Sequence, residues 1–487
     1  MKVNQVWGGS ASGKNKREGT NIRGCVIASS NELGHDAVSS RLVFLSMKSQ
    51  IFVLGVIAVM SCGAVYADDS SWPRFRGVNG SGVDDSAAVP TEWSDSNELW
   101  SVEVPGVGHG SPVSYGNRMF LLTAVAEPQS AAAPDAPGSA AKGKKGKKGK
   151  TPVPVLSYQW LTLCLDRETG QSLWEQRFDQ RTFKGHRFNS AASSTPAVDG
   201  KRVVFAWGTP DQLTVAALSH EGELLWKKDL GPVSGGHGFG GSPILYNDLV
   251  VLNNDQEKQE GNLLALNAET GEVVWTVERK SERISYAVPC VYEVAGRELL
   301  VFTNWQHGFT AIDPKDGSVV ADKSVFNLDT NERAISSPIV SKGLVIGTCG
   351  FTANPKHCVA MKLSGGEWHE VWRRERNINH IPSTIAVGDY TYLIDDAGIA
   401  TCVDTLTGEE KWRDRIPGVE GSIFGSPVSD GRNLFFADES GNFHVVAASP
   451  EFTPVATNSL GGLCRTTPAI VDGTIYVRTE SHLSAYR

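Results

Sequence analysis

Short apolar runs separated by small polar turns recur along most of the chain. One unit shows the arrangement in four runs: SPILY (242–246), LVVLNN (249–254), NLLALN (262–267) and EVVWTVE (272–278). These runs are short, and β-branched residues are frequent in them, which favours strands over helices. The pattern therefore predicts repeated antiparallel sheets, each with four strands that we name a to d in chain order.

The repeat carries two landmarks. A position in strand d, typically four residues after a turn glycine, holds Trp174, Trp226, Trp275, Ala321, Trp372 and Trp412 in successive copies. A small hydroxyl residue and then Pro precede strand a, at Pro112, Pro196, Pro243, Pro289, Pro338, Pro427 and Pro468, with Thr384 in the Pro position of one copy. The strand-d positions lie 40 to 52 residues apart, a spacing typical of β-propeller blades. The landmarks predict eight blades.

The two ends of the chain supply the parts of one blade. The last unit ends after strand c, whereas NELWSVEVPG (97–106) resembles a strand d without its sheet, with Trp100 in the strand-d position. Pairing these segments would close the ring and remove both free edges. We predict an all-β fold, an eight-bladed β-propeller of four-stranded antiparallel blades over 68–487, closed by its N- and C-terminal strands.

The recurring Trp is expected to be a buried plug between neighbouring blades rather than part of an aromatic ligand cage. Six positions carry this docking role: Trp100, Trp174, Trp226, Trp275, Trp372 and Trp412. Burial of roughly 150–250 Å² per Trp at about 25 cal/mol/Å² corresponds to at most about 4–6 kcal/mol per blade contact. Cys164 and Cys402 occupy a small position in strand c and are expected to be buried fillers, not nucleophiles.

The N-terminal region contains an export signal. From Met47 the chain reads MKSQIFVLGVIAVMSCGAVYADDS, so a lysine precedes ten apolar residues and small residues follow. We interpret 47–67 as a signal peptide and 1–46 as a misassigned extension, disordered if it is made. A signal with a long charged region, an uncleaved anchor, and lipidation at Cys62 remain alternatives. Removing 1–67 would change the net charge from −8 to −12, so the exported protein is acidic and is not predicted to bind nucleic acid.

Two further features have structural interpretations. Cys349 and Cys358 flank GFTANPKH and would face each other across a hairpin, which makes a disulfide a hypothesis. Residues 126–157, rich in Ala, Pro, Gly and Lys, interrupt the first blade and are predicted to be disordered. The six lysines between Lys142 and Lys150 either make a peripheral contact with a membrane or with an anionic surface polymer, or form a solvated linker.

The pattern LNAETGEVVW, with its docking Trp, resembles the pyrroloquinoline-quinone (PQQ) repeat. That repeat builds the propellers of quinoprotein alcohol dehydrogenases and of the non-catalytic outer-membrane β-barrel-assembly lipoprotein. The segments SWPRFRGVNGSG (71–82), HGFGGSPILY (237–246) and DDAGIATCVDTLTG (395–408) are similar to those of an exported bacterial family of PQQ-like propellers. The resemblance covers about 71–487.

The resemblance to the dehydrogenases implies PQQ, Ca²⁺, an Asp base and often two adjacent cysteines. The sequence has no Cys-Cys pair, no CxxCH and no GxSxG, HExxH or P-loop motif, so we assign no catalytic residue and no metal ligand. NNDQEKQEGN (253–262) is acidic enough to suggest Ca²⁺, but an exposed hairpin loop explains it better. PQQ with Ca²⁺ is expected only if the protein is an enzyme.

A collar of polar residues precedes the strands a, where the connections of a propeller line one mouth of its channel. The candidates are His109, Asn189, His237, Arg283, Tyr286, Arg333, His380 and Arg465. Histidines and arginines that converge on an axis can hold an anionic quinone, a carboxylated ligand or a metal, or can be solvated loop residues. The first hypothesis is a monomeric, non-catalytic scaffold of the periplasm or cell envelope that binds an envelope protein or a small anionic ligand. The alternative is a PQQ-dependent alcohol or sugar dehydrogenase with its quinone at this mouth.

Overall fold

The computed structural model describes residues 71–128, 155–330, 332–351 and 356–487. The predictions for 1–46, for the signal at 47–67 with Cys62, and for most of the Lys-rich insertion lie outside these residues. The described residues all belong to one compact unit. Among them, no helix has the length and apolar character needed to cross a membrane.

Eight four-stranded antiparallel sheets form a propeller ring, as the repeat predicts. Each blade is a meander of strands a to d, and the strands of the first four blades are as follows: β2 Val113–Tyr115, β3 Arg118–Pro128, β4 Val155–Asp166 and β5 Ser172–Lys184 in blade 1; β6 Ala197–Val198, β7 Val203–Thr209, β8 Gln212–Leu218 and β9 Leu224–Asp229 in blade 2; β10 Ile244–Tyr246, β11 Leu249–Asn254, β12 Gln259–Asn267 and β13 Val273–Ser281 in blade 3; β14 Cys290–Val294, β15 Arg297–Asn304, β16 Gly308–Ile312 and β17 Val319–Lys323 in blade 4.

The remaining blades repeat the same order. Their strands are β18 Ile339–Ser341, β19 Leu344–Cys349, β20 His357–Ser364 and β21 Glu367–Arg374 in blade 5; β22 Ile385–Val387, β23 Tyr390–Ile394, β24 Ile399–Asp404 and β25 Glu410–Arg415 in blade 6; β26 Val428–Ser429, β27 Asn433–Ala437, β28 Asn442–Ala447 and β29 Pro454–Ser459 in blade 7; β30 Ala469–Val471, β31 Thr474–Arg478, β32 His482–Tyr486 and the N-terminal β1 Glu98–Glu103 in blade 8. Strand β1 pairs with β32, so the predicted closure by the two chain ends is confirmed.

The recurring Trp of one blade packs on the turn between strands c and d of the next blade. The indole nitrogen of Trp275 donates a hydrogen bond of 2.9 Å to the carbonyl of Pro314. Gly317 in the same turn has φ +75°, and a Cβ added there would lie 2.9 Å from the indole. The turn therefore needs glycine twice, for its backbone conformation and for the indole. The same two contacts recur at Trp100, Trp174, Trp226 and Trp372.

The two blades without this Trp are completed by tryptophans from other positions. Ala321 of blade 4 shares a hydrophobic cluster with Trp368 of blade 5, which is 2% exposed. Ala456 of blade 7 packs on the cluster that receives Trp93, whose ring stacks on Tyr486 at a centroid distance of 4.2 Å. The two blades that lack the recurring Trp therefore still have a large aromatic side chain at the interface with the next blade. That side chain comes from a position outside the repeat pattern.

Hydroxyl residues before strand a link the blades around the channel. At six of the eight positions the backbone N–H donates to the hydroxyl of the next blade at 2.9–3.0 Å, in the pairs Ser111 to Thr195, Thr195 to Ser242, Val288 to Ser337, Ser337 to Ser383, Ser383 to Ser426 and Ser426 to Thr467. The inner edge of strand a has no strand partner, so these N–H groups need another acceptor. Val288 is the one position of this series without a hydroxyl.

Residues 71–84, which we call the strap, cross the channel at the end opposite the connections from strand d to strand a. Trp72 pairs with Ser114 of blade 1, and the carbonyl of Pro73 accepts a hydrogen bond from Val198 of blade 2. The strap continues to blade 4 and then to blade 7 through Arg74 to Pro289, Asn79 to Val291, Arg76 to Pro427 and Gly82 with Asp84 to Ser429. It ties together blades that are distant in sequence.

The disulfide hypothesis and the outer bounds of the predicted insertion differ from the structure. Cys349 and Cys358 are free thiols, because Cys349 lies opposite His357 in the ladder and the neighbouring pair is Thr348 with Cys358. Successive residues of a strand point to opposite faces, so the two thiols cannot meet. The ends of the insertion predicted to be disordered at 126–157 instead extend strands β3 and β4.

The segment 253–262, which the sequence predicts to be an exposed hairpin loop, is buried over its first four residues. Asn253, Asn254, Asp255 and Gln256 are all buried. Asp255 accepts hydrogen bonds from Arg279 at 2.5 and 2.6 Å and from Asn304 at 2.8 Å. Its carboxylate oxygens are thereby occupied by protein donors, and the positive charge of the Arg279 guanidinium compensates the burial of the carboxylate.

Candidate functional site

A cavity of about 500 Å³ opens at the mouth formed by the connections from strand d to strand a. Seven of the eight collar candidates line it: His109, Asn189, His237, Tyr286, Arg333, His380 and Arg465. Arg283 does not line the cavity; its guanidinium binds Glu257 at 2.5 Å. The repeat geometry thus brings together side chains that are up to 356 residues apart in sequence.

The walls of the cavity are largely aromatic and aliphatic. Phe188 and Phe351 are 47% and 36% exposed, and the rings of Phe188 and Phe424 lie 6.5 Å apart. The guanidinium of Arg465 lies over the Phe424 ring at 5.2 Å, and that of Arg187 over Phe188 at 4.3 Å. Aromatic side chains beside arginines are the groups that most often dominate protein recognition.

The basic residues of the collar are held by carboxylates from the turns between strands b and c. Glu257 accepts from Arg333 at 3.0 Å as well as from Arg283. Burial raises the pKa of Glu257, but the hydrogen bonds from the two arginines outweigh burial and bring it below its usual value. Arg465 is bound by Glu439 in the same way, with Nε 3.0 Å from Oε1.

His380 is oriented by Asp396. Its Nδ1 lies 3.5 Å from Oδ2 of Asp396, and the backbone N–H groups of His380 and Ile381 each donate to Oδ1 at 3.1 Å. Lys356 lies 3.4 Å from the same carboxylate. Burial raises the pKa of Asp396, but hydrogen bonding by His380 and the charge of Lys356 lower it overall, so the carboxylate stays ionised.

The remaining collar residues are neutral or act as braces. Burial, and to a smaller extent the charges of Arg465 and Arg478, lowers the pKa of His109 to about 3. Burial also lowers the pKa of His237 to about 4. Asn189 donates to the carbonyls of His237 and Phe239 at 2.7 and 3.1 Å, so it fixes the loop that carries His237. Neither imidazole carries a charge at neutral pH.

Three polar atoms of the lining residues have no hydrogen-bond partner within the part of the chain that the structure describes. They are the hydroxyl of Tyr286, Nε of Arg333 and Nε2 of His380, and all three are buried. Buried polar atoms normally find partners, so these atoms are candidates for ligand contacts. Among the described residues, no group of three His, Cys, Asp or Glu side chains is arranged to hold a metal ion.

The sequence did not point to the carboxylates or to the aromatic walls. Glu257, Asp396 and Glu439 each follow a strand b by two or three residues. Turns between strands b and c reach the same mouth as the connections from d to a, because successive antiparallel strands reverse direction. An acidic residue just after strand b was therefore the available signal.

Comparisons with known proteins agree with this architecture. A family described as "Outer membrane protein assembly factor BamB" matches residues 159–414, more than half of the chain. The outer membrane protein assembly factor BamB of Burkholderia pseudomallei is 20% identical over 320 residues, which cover 65% of this chain and 76% of the relative.

Two solved structures resemble the fold. BamB from Moraxella catarrhalis has 13% sequence identity and a TM-score of 0.50, over 67% of this chain and 91% of the other. A europium-containing methanol dehydrogenase has 13% identity and a TM-score of 0.45, over 84% and 89% of the two chains. The extent of the family match decides the assignment: this chain belongs to the family of the outer membrane protein assembly factor BamB.

Proposed function

We propose that this protein is a non-catalytic binding scaffold of the bacterial cell envelope, whose mouth cavity docks a segment of another envelope protein. The observation that carries the proposal is the pairing of exposed aromatic rings with arginines that carboxylates already hold in place. Phe188, Phe351 and Phe424 offer apolar surface, while Arg465 is fixed by Glu439.

Prior fixation of the charged groups favours binding. A partner that covers Arg333 or Arg465 does not have to order a mobile side chain, and each positive charge keeps its counter-charge when water leaves. The unpartnered hydroxyl of Tyr286 and Nε2 of His380 can then recognise polar backbone groups of the partner. Family membership and the predicted export signal support a place in the envelope.

Photo-crosslinking tests this proposal. A photoreactive amino acid placed at Phe188 or Phe351 in the full chain is expected to give a discrete crosslinked product in the producing bacterium. The matched controls are Leu224 and Leu406, which are 53% exposed but lie away from the mouth. Equal crosslinking at all four positions would contradict a docking site at the mouth.

A separate experiment tests the quinoprotein alternative. The mature protein is incubated with PQQ and Ca²⁺, desalted, and assayed for quinone absorbance and for dye reduction with alcohols or sugars. We expect neither retained quinone nor dye reduction. Stoichiometric quinone together with substrate-dependent dye reduction would overturn the non-catalytic proposal.

A further inference from the structure

The hydroxyl residues that link the blades also surround a second, smaller cavity on the channel axis. This cavity of about 130 Å³ is lined by hydroxyl side chains from six blades: Thr195, Ser242, Ser337, Ser383, Ser426 and Thr467. Phe75 of the strap, Val288, Ile335 and Ile381 add apolar surface to the lining. Eight of the sixteen lining residues, Arg465 among them, also line the mouth cavity. We call the six side chains the hydroxyl ring.

The hydroxyl ring presents hydrogen-bond donors without acceptors. Each of its oxygens accepts one backbone N–H at 2.9–3.0 Å. A hydroxyl also carries one hydrogen that it can donate. In the described residues none of the six donates that hydrogen to a protein acceptor. Six O–H groups therefore line one small cavity, and their hydrogens have no acceptor within the described residues.

Three buried arginines lie outside the lining of this cavity but donate to the backbone beside the residues that link the blades. Arg74, Arg76 and Arg478 are 6%, 0% and 1% exposed, and each retains at least one N–H without a partner among the described residues. Their hydrogen bonds go to the carbonyls of Pro289 at 2.6 Å, Pro427 at 3.4 Å and Gly110 at 3.0 Å, which are adjacent in sequence to Val288, Ser426 and Ser111.

None of these arginines forms an ion pair with a carboxylate of the described chain. Burial, and to a smaller extent the neighbouring charge of Arg74, lowers the pKa of Arg76 to about 9. A buried cation without a counter-charge is costly, so a negative charge close to these guanidinium groups would be favourable.

We propose that the hydroxyl ring binds a small inorganic anion, between chloride and phosphate in size, on the channel axis. Hydroxyl donors can replace the hydration shell of such an ion, and the arginines supply the compensating charge. Val288 lines the same cavity at the corresponding position of blade 4 but offers no donor. The proposal does not depend on the mouth cavity having a protein partner.

Thermal unfolding at constant ionic strength tests the proposal. Sodium gluconate, whose anion is too large for the cavity, is replaced stepwise by chloride, bromide or phosphate, with acetate as the arm that mimics a ligand carboxylate. Binding to the folded state raises the melting temperature with the logarithm of the anion concentration once that concentration exceeds the dissociation constant, whereas general salt effects rise roughly in proportion to concentration. A logarithmic rise with acetate alone would overturn the inorganic anion.

Variants at one position provide a matched comparison. Val288→Ser adds a seventh donor, while Val288→Ala changes the size without adding one. We expect the dissociation constant for bromide, fitted from this logarithmic dependence, to be severalfold lower in Val288→Ser than in Val288→Ala, and at least tenfold higher in Arg76→Gln than in the unchanged protein. Crystals grown in bromide should show anomalous density inside the ring. Identical curves for the two Val288 variants, or no anomalous density there, would mean that the ring holds only water.

Discussion

At the scale of single residues, one pair of side chains explains most of the repeat. The Trp on strand d of one blade requires a glycine in the turn between strands c and d of the next blade, because the indole occupies the space in which a Cβ would lie. The residue opposite the Trp in strand c is small for the same reason, as in the pairs Cys164 with Trp174 and Ala265 with Trp275. Buried cysteines here fill space.

Removing one plug should weaken the whole ring. Trp275→Ala is expected to lower the free energy of unfolding by about 3–5 kcal/mol, because it leaves a cavity between blades 3 and 4. The control Val274→Ala, at a side chain 46% exposed, should change it by less than about 0.5 kcal/mol. Urea denaturation measures both, and a loss below about 1 kcal/mol for Trp275→Ala would contradict the docking role.

The collar histidines should make stability depend on pH. The pKa of His109 is about 3 in the folded protein, against an ordinary value of 6.5, so the unfolded chain binds a proton first. The free energy of unfolding should therefore fall as the pH drops from 6.5 towards 3. His109→Gln should lose less stability between pH 7 and 4 than the unchanged protein. Parallel pH profiles from urea denaturation would contradict this assignment.

At the scale of elements, the strap is the segment that does not follow the repeat. It contacts blades 1, 2, 4 and 7 through isolated β-bridges and hydrogen bonds, and its Phe75 lines the smaller cavity. Its tight path requires glycine at Gly77, whose φ is +65°.

Two glycine substitutions separate backbone strain from packing. A Cβ at Gly77 would lie 2.6 Å from the indole of Trp72, whereas one at Gly116, with φ +54°, meets nothing within 4 Å. Gly116→Ala should cost about 1–2 kcal/mol from backbone strain alone. Gly77→Ala should cost about 1–3 kcal/mol more, because the strap must move. Equal costs in urea denaturation would mean that the strap is not tightly packed.

At the scale of the whole molecule, stability depends on closure of the ring. Blade 8 combines β1 with three strands from the other end of the chain, and Trp100 bonds to the carbonyl of Arg167 in blade 1 at 3.1 Å. Arg478 of the last blade donates to Gly110 and Leu122 of blade 1 at 3.0 and 2.8 Å. The two chain ends are therefore joined by strand pairing and by side chains.

Truncation tests closure. A fragment that begins at residue 106 lacks β1, the strap and Trp100, and it exposes the edge of β32. An unpaired edge favours aggregation, so the fragment should fail to remain monomeric in sedimentation analysis. The control 68–487 should unfold cooperatively as a monomer. A soluble and cooperatively folding 106–487 fragment would contradict the role of closure.

Local spacing determined the fold of this protein. Strand period, turn glycines and the recurring Trp are readable from the sequence, because each depends on neighbours within one blade or in the next blade. The positions of the collar could be predicted for the same reason, since every blade presents its d-to-a connection at one mouth.

Only the tertiary structure decided which groups meet across the ring. The pairing of Arg333 with Glu257, the completion of blade 7 by Trp93 and the path of the strap join residues that no repeat period relates. Cys349 and Cys358 are likewise separated because the two strands pair one residue away from the register in which the cysteines would be opposite each other. These contacts depend on the angle between blades and on the course of irregular loops, and neither follows from the local alternation of apolar and polar residues.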